Sequence, residues 1–247
     1  MRRVSSILFI LTFIACSSDR PIDVYDGFES NKLSGIWSNE KFLPGAFEIQ
    51  STHVKSGLSA AKITLNPGDQ IDKEKGTILE RAELMEARRF ISAEDLNYLY
   101  SFSLFLPQDF PIVPNRLIIA QWKQDCKSGD CDPGNPVVVL RYESGELKVT
   151  LQVGPKKVTL YNQTEGILNN WLDFRFQIRF SRNQQGRIKA WLNDQQIIDY
   201  TGVTAYSQIY GYPIHGRFYF KMGLYRDKME QPMTIYLDEY KKQQLME

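Results

Sequence analysis

Two stretches of this chain alternate so strictly that they leave it little freedom of fold. In Arg217–Arg226, the residues Phe218, Phe220, Met222 and Leu224 fall on one side of an extended strand, while Tyr219, Lys221, Gly223 and Tyr225 fall on the other. Trp171–Ser181 repeats the arrangement, with Phe174, Phe176, Ile178 and Phe180 against Arg175, Gln177 and Arg179. A helix would scatter both sets around its axis, whereas a strand with one buried face keeps them apart. Further strands are predicted at Tyr100–Pro107, Arg116–Gln124, Pro136–Tyr142, Leu147–Val153, Arg187–Asn193, Gln196–Tyr200 and Met233–Tyr240, and the strand-like Thr52-His53-Val54 adds a shorter one. Gly145, Gly154, Gly186 and Asn193-Asp194 punctuate the hairpins. No long segment has a helical period, and one short helical turn is expected at Ser92–Leu96. Aromatic residues make up 13% of the chain, and no Pro/Ser-rich linker divides it. The expected fold is therefore all-β: a single β-sandwich of the jelly-roll, lectin-like kind over residues 23–247, with a concave groove.

Charge and the N-terminus bound the partners. Thirty basic residues against 29 acidic ones give a formal +1. That balance argues against a general polyanion binder and leaves no expectation of nucleic acid. Arg2 and Arg3 precede the apolar stretch Ile7 to Ala15, which is too short to span a bilayer and suits a secretory leader. The leader ends in Phe13-Ile14-Ala15-Cys16, which resembles a bacterial lipoprotein cleavage box with Phe where Leu is usual. Residues 1–16 are thus expected to be a signal peptide with Cys16 as lipid acceptor, and residues 17–22 a tether. Loss of Arg2 and Arg3 with the leader turns the formal +1 into −1. The mature protein is expected on the outer membrane, on the cell surface or in the periplasm as a lipoprotein, or else secreted. It would be a monomer that touches membrane only through its lipid.

Export makes the other two cysteines informative. Cys126 and Cys131 lie in a Gly-, Asp- and Pro-rich loop, and an oxidising compartment favours a disulfide between them. A tetrahedral metal site would need a second Cys or His pair, which the neighbouring sequence lacks. Asp125, Asp130, Asp132 and Asn135 in the same stretch offer oxygen ligands suited to a structural calcium ion. The plainer reading is a solvated acidic loop. His53 and His215 are isolated in sequence, and His215 introduces the strand that carries Tyr225.

Alternation also places Gln121 and Lys123 on one strand face and Arg81 and Glu83 on another. Singly, such sets describe an ordinary solvent face. Together with Tyr219, Lys221 and Tyr225 they describe a surface of cations, amides and phenols, suited to acidic sugars. Guanidinium and ammonium pair with carboxylates, amides bind hydroxyls, and rings stack on sugar faces. Other chemistries lack their signatures. There is no E-x-D-x-x-E for a jelly-roll hydrolase, since Glu80, Glu83 and Glu86 are wrongly spaced, and no G-x-S-x-G, phosphate loop or H-E-x-x-H.

Three blocks carry a family resemblance: Arg81-Ala82-Glu83-Leu84, Gln121-Trp122-Lys123 and Tyr219 to Tyr225. They resemble the R-[ST]-E-L, Q-[IV]-H and Y-F-K-x-G-x-Y blocks of jelly-roll alginate lyases. The stretches Pro107–Lys123, Asn135–Tyr142 and Phe220–Asp227 look closer to heparin lyase I and the glucuronan lyases. The likeness spans about residues 25–240. It implies β-elimination on a uronate-containing polysaccharide, with no cofactor required.

Under that resemblance Arg81 and Gln121 bind the C5 carboxylate, and Tyr225 is the catalytic phenol. Glu83 orients Arg81, Lys221 favours ionised Tyr225, and Tyr219 stacks on or hydrogen-bonds the sugar. Arg175, Arg179 and His215 are expected as further substrate contacts. Lys123 stands where alginate and heparin lyases place His. An imidazole of pKa about 6.5 serves as a base near neutrality, whereas an ammonium of pKa about 10.4 does so only when its pKa is depressed. The base is therefore Tyr225 acting on both protons with Lys123 neutralising the carboxylate, or Lys123 itself, or His215. Loss of the His also fits a lectin-like surface protein that binds acidic glycan without cleaving it.

Overall fold

A computed structural model describes residues 21–38, 41–69, 79–126, 135–207 and 214–246. Its strands form two antiparallel sheets. The first runs β14 (Gln195–Thr201), β13 (Arg187–Leu192), β12 (Trp171–Arg179), β7 (Asn97–Phe105), β16 (Met233–Leu245), β4 (Ala60–Leu65), β3 (Phe47–Gln50), with β1 (Asp23–Asp26) also paired to β16. The second runs β11 (Lys157–Gln163), β10 (Glu146–Gln152), β9 (Val138–Glu143), β8 (Leu117–Cys126), β15 (Ile214–Asp227), β5 (Leu79–Glu86), β2 (Trp37–Ser38), with β6 (Ser92–Ala93) also on β15. The sandwich is the expected jelly roll.

The inward faces are those that alternation marked. Phe174, Phe176 and Ile178 of β12 and Phe218, Phe220, Met222 and Leu224 of β15 are buried. Rings from the two sheets meet in one aromatic core: Trp122 of β8 lies 4.7 Å from Phe176 and 5.5 Å from Tyr100, and Phe180 stacks on Phe218 at 4.0 Å. Large rings interdigitating between two sheets bury much apolar area and fix the sheet separation.

Several local expectations are corrected. Ser92–Leu96 is not helical: Ser92 and Ala93 form β6, and the short 3₁₀ turn lies just before, at Arg88–Phe90. His53 sits in a bend rather than a strand, its ring stacked on Tyr236 at 4.2 Å and tilted against Phe105 at 5.0 Å. Strands β1 to β4 and β11 were not foreseen: β1, β2 and β3 are only two to four residues long, β11 is largely polar, and β4 was passed over although Ile63 and Leu65 alternate with Lys62 and Thr64. Cys16, Cys131, Asp130 and Asp132 lie outside the described residues, as does the leader, so the lipid, disulfide and calcium expectations fall there.

Strand β5 is unusual in burying carboxylates at both ends of its inward face. Glu80 is fully buried against Arg226, accepting from Nε at 2.8 Å with Nη2 equally near in the ion pair, while its other oxygen accepts from the Gly68 amide. Glu86 is buried against Lys242 at 2.9 Å and also accepts from the Tyr240 hydroxyl. A one-residue slip of β5 would turn these charges outward and Glu83 inward, so the two pairs fix its register against β15. Removing one partner of a buried pair strands the other charge. Arg226→Ala is thus expected to cost about 3–5 kcal/mol, read from the midpoint of a denaturant titration, and Glu80→Leu/Arg226→Met should recover most of it.

Candidate active site

The polar faces of β5, β15 and β8 lie side by side on the outer surface of the second sheet. Register sets Tyr225 opposite Arg81, Gly223 opposite Glu83, Lys221 opposite both Met85 and Gln121, and Tyr219 opposite Lys123. Directly opposed residues of an antiparallel pair share a face, so Arg81, Glu83, Gln121, Lys123, Tyr219, Lys221 and Tyr225 form one surface.

Glu83 is its centre. The side chain is fully buried, and its two oxygens meet three partners: Gln121 Nε2 donates to Oε1, Arg81 Nε lies 3.2 Å from Oε2, and Lys221 Nζ lies 3.6 Å from Oε2. One carboxylate therefore ties its own strand to β15 beside it and to β8 beyond. The anion is outnumbered: burial lowers the Lys221 pKa to about 8, and the charges of Arg81, Lys123 and Lys41 add to the shift while Glu83 opposes it. Tyr219 is pushed the other way, its hydroxyl held well above the usual phenol range first by burial and then by Asp125 and Glu83. A phenol so placed keeps its proton and serves as a hydrogen-bond donor.

Tyr225 stands at the other end of the row. The Arg81 guanidinium lies 4.2 Å from its ring centre and that of Arg116 5.4 Å, a pair of cation–π contacts that fix the ring. Lys221 makes its contacts with Glu83 and with the Tyr219 ring at 5.6 Å, so the cations nearest Tyr225 are the two arginines. Arg116 is itself held by Asp227, at 2.8 Å from Nη2. Beyond Tyr219 the face continues into a recess lined by Lys41, Met85, Arg88, Asp125 and Tyr219.

Two expected contacts are elsewhere. Arg175 and Arg179 point outward from β12, on the far surface of the sandwich, where Arg175 lies 4.8 Å from the Trp191 ring and 3.7 Å from Asp194. Alternation assigns a face within a strand but not the sheet to which the strand belongs, and that is where the expectation failed. His215 lies at the start of β15, separated from Phe218 by a register shift, and its carbonyl accepts from Gln124 at 3.0 Å. Arg116, Arg141, Lys41 and Arg88 were missed. Arg141 had a signal, since it alternates with the buried Leu140 and Tyr142, whereas Lys41 comes from a loop with no pattern to place it.

Comparisons with known proteins agree with the fold. A family profile described as polysaccharide lyase matches residues 25–241. Among solved structures, an endo-β-1,4-glucuronan lyase from the fungus Trichoderma reesei superposes with a TM-score of 0.68 at 18% identity, covering 90% of this chain and 95% of that one. An alginate lyase from Corynebacterium sp. gives 0.54 at 16% identity, covering 82% of each chain. An alginate lyase of polysaccharide lyase family 7 gives 0.55 at 14%, covering 83% of this chain and 85% of that one. No curated protein sequence matches the chain.

Gly223 carries a steric condition of the site. Its φ is +139°, and a Cβ there would stand 2.3 Å from the Ala82 carbonyl oxygen and 2.9 Å from Glu83 Cα. Only glycine lets β15 approach β5 this closely. Gly223→Ala is expected to destabilise the fold by about 2 kcal/mol and to lower affinity for acidic sugars, measured by thermal unfolding and by titration calorimetry.

Proposed function

The chain belongs to the polysaccharide lyase family, and from that premise we propose that it cleaves an acidic, uronate-containing polysaccharide by β-elimination at the cluster around Glu83. The observation that carries the reading is the gathering of Arg81, Gln121 and Lys221 on one buried carboxylate, beside Tyr225 and on the same face.

Elimination needs the C5 carboxylate neutralised, the C5 proton removed and the departing O4 protonated. Arg81, Gln121 and Lys221 present donors to the substrate carboxylate, with Lys123 adding charge from the neighbouring row. As the C5–H bond breaks, its electron pair is held as negative charge spread onto that carboxylate, and it returns to form the C4–C5 double bond only as C4–O4 breaks. Donors fixed in advance in a partly desolvated site stabilise the spreading charge more than water could. The C4–O4 bond then breaks, and O4 takes a proton. Tyr225 serves both transfers: its phenolate accepts the C5 proton and its phenol returns it to O4. The guanidiniums of Arg81 and Arg116 against the ring hold it in place through that exchange. These steps use side chains alone.

Lys123 is better used as a cation than as the base, because its charge bears on Lys221 beside the carboxylate donors. Glucuronan and alginate, named for the structures this chain resembles, are the first polymers to offer it. The basic start, apolar stretch and Cys16 support export, with lipid attachment as the tether.

Mixing the protein with glucuronan or alginate should raise ultraviolet absorbance as the C4–C5 double bond conjugates with the carboxylate. A flat trace on every uronate polymer, with binding retained, would favour a sugar-binding protein instead. Tyr225→Phe is expected to abolish turnover while keeping substrate affinity within about tenfold, since only the proton transfers are lost. A fully active variant would overturn the assignment.

The pH profile provides a separate check. Lys221 is protonated below about 8 and loses its charge as pH rises through that value. Its contribution to carboxylate binding is thus present on the acid side and lost on the alkaline side. On this basis kcat/KM should fall about tenfold per pH unit above about 8. Lys221→Arg, whose guanidinium stays charged, should carry activity to higher pH, and an unchanged alkaline limb would remove Lys221 from the carboxylate site.

A further inference from the structure

The polar face does not stop at β8. Register continues the Tyr225 row across the second sheet, with Ile118 of β8 opposite Tyr225, Arg141 of β9 opposite Ile118, Lys148 of β10 opposite Arg141 and Asn162 of β11 opposite Lys148. Lys157 of β11 lies on the same face, paired with Gln152, while Val158 next to it turns to the core side opposite Leu151. A bulge at Ile119 makes this continuity possible: β8 gains a residue against β9 between Ile118 and Ala120, which turns Ile118 outward under the row while Leu117 and Ile119 stay in the core.

Four cations line this extension, and they differ in what holds them. Arg116 is paired with Asp227 at 2.8 Å, and Lys148 with Glu146 at 2.6 Å and Glu143 at 3.7 Å. Arg141 instead donates through Nε to the hydroxyl of Thr150, at 3.0 Å. Among the described residues neither Arg141 nor Lys157 belongs to an ion pair. The two are close enough that the Arg141 charge is the largest influence lowering the Lys157 pKa. Arg141 is half-buried as well. Glu143 offsets part of the repulsion at both groups, and the two cations, one partly desolvated and oriented by a neutral hydroxyl, leave a positive surplus that favours a further anion between them.

We propose that Arg141 and Lys157 form a second anion subsite, which holds a carboxylate of the same acidic polysaccharide at sugar residues away from the bond broken at Tyr225. The inference rests on the polyuronate reading and extends it: the chain would lie across the strands, from β5 and β15 toward β11. Neighbouring strands are about 4.8 Å apart, so Arg141 stands about 10 Å and Lys157 about 19 Å from the Tyr225 strand. Short fragments would reach only the first site, whereas longer acidic oligomers would engage both.

The test measures binding by calorimetry in a Tyr225→Phe background, with alginate and glucuronan oligomers long enough to reach β11 and with the corresponding unsaturated disaccharides. Arg141→Gln should weaken the long oligomers about tenfold and the disaccharides by less than twofold. Lys157→Gln, at an edge position where folding is not at risk, should weaken the long oligomers several-fold. Lys189→Gln, which removes the same charge from the far sheet, should change neither. Unaltered long-oligomer affinity in both Arg141→Gln and Lys157→Gln overturns the subsite, and so does an equal loss for long and short ligands. Failure of the wild-type protein to cleave any uronate polymer would sink the elimination reading instead, and the binding comparison would still decide on the subsite.

Discussion

The buried carboxylate of Glu83 is the interaction on which this surface depends. Arg81, Lys221, Lys123 and Lys41 act on one another through space, and without an anion beneath them they would not stay gathered. Glu83 supplies that anion and reaches three strands at once, since its partners come from β5, β15 and β8. A buried ion cluster is a weak source of stability, because desolvation offsets much of the attraction. Its return is positional: several donors are held at fixed places with net positive charge left over for a ligand. A preorganised charge surplus of that kind is what a developing carbanion next to a carboxylate requires.

Close approach of two backbones makes the cluster possible. Gly223 faces Glu83 in register, and the absent Cβ leaves its space to the Ala82 carbonyl and the Glu83 Cα, so the two strands close on each other beneath the cluster. Two further buried pairs, Glu80 with Arg226 and Glu86 with Lys242, hold the ends of β5 so that Glu83 faces outward. The three glutamates of Leu79–Glu86 thus divide the labour, the outer two fixing register and the middle one organising chemistry. Sequence spacing that fails the pattern of a hydrolase is explained by this alternation of faces.

Much of this was legible in the sequence, and the failures have a common cause. Phe218 to Tyr225 and Phe174 to Phe180 announced their faces because a period of two separates them cleanly. Gln121, Lys123, Arg81 and Glu83 could then be assigned to faces of their own strands. What alternation does not encode is the neighbour of each strand. Arg175 and Arg179 look from the sequence just like Lys221 and Tyr225, yet β12 belongs to the opposite sheet. In β5 the alternation of Arg81 and Glu83 was readable, but the burial of Glu80 and Glu86 was not, because a hydrophobicity reading assigns those positions to solvent. Their burial depends on Arg226 and Lys242, more than 140 residues away. Arg141 was visible as an outward residue and acquired meaning only when the Ile119 bulge aligned it with Tyr225.

The two halves of the polar face handle charge in opposite ways, and the contrast separates chemistry from grip. Around Glu83 the cations share a buried carboxylate, so their positions are fixed before a sugar arrives and their surplus is concentrated at one point. That suits a transition state in which charge appears on a single carboxylate. Toward β11 the charge is distributed: Arg116 and Lys148 are occupied by their own carboxylates, while Arg141 donates to the hydroxyl of Thr150. A cation oriented by a neutral group keeps nearly its full charge for an incoming anion, whereas one paired with a carboxylate must exchange partners to bind it. Such a strip contributes attraction to the ground state and the transition state alike, which lowers the concentration of polymer needed without changing the step itself. The absence of an imidazole beside Gln121 fits the same division. In the proposed mechanism proton transfer falls to a phenol held against Arg81 and Arg116, which leaves the position of Lys123 to carry charge on a face lined with cations from β5 to β11.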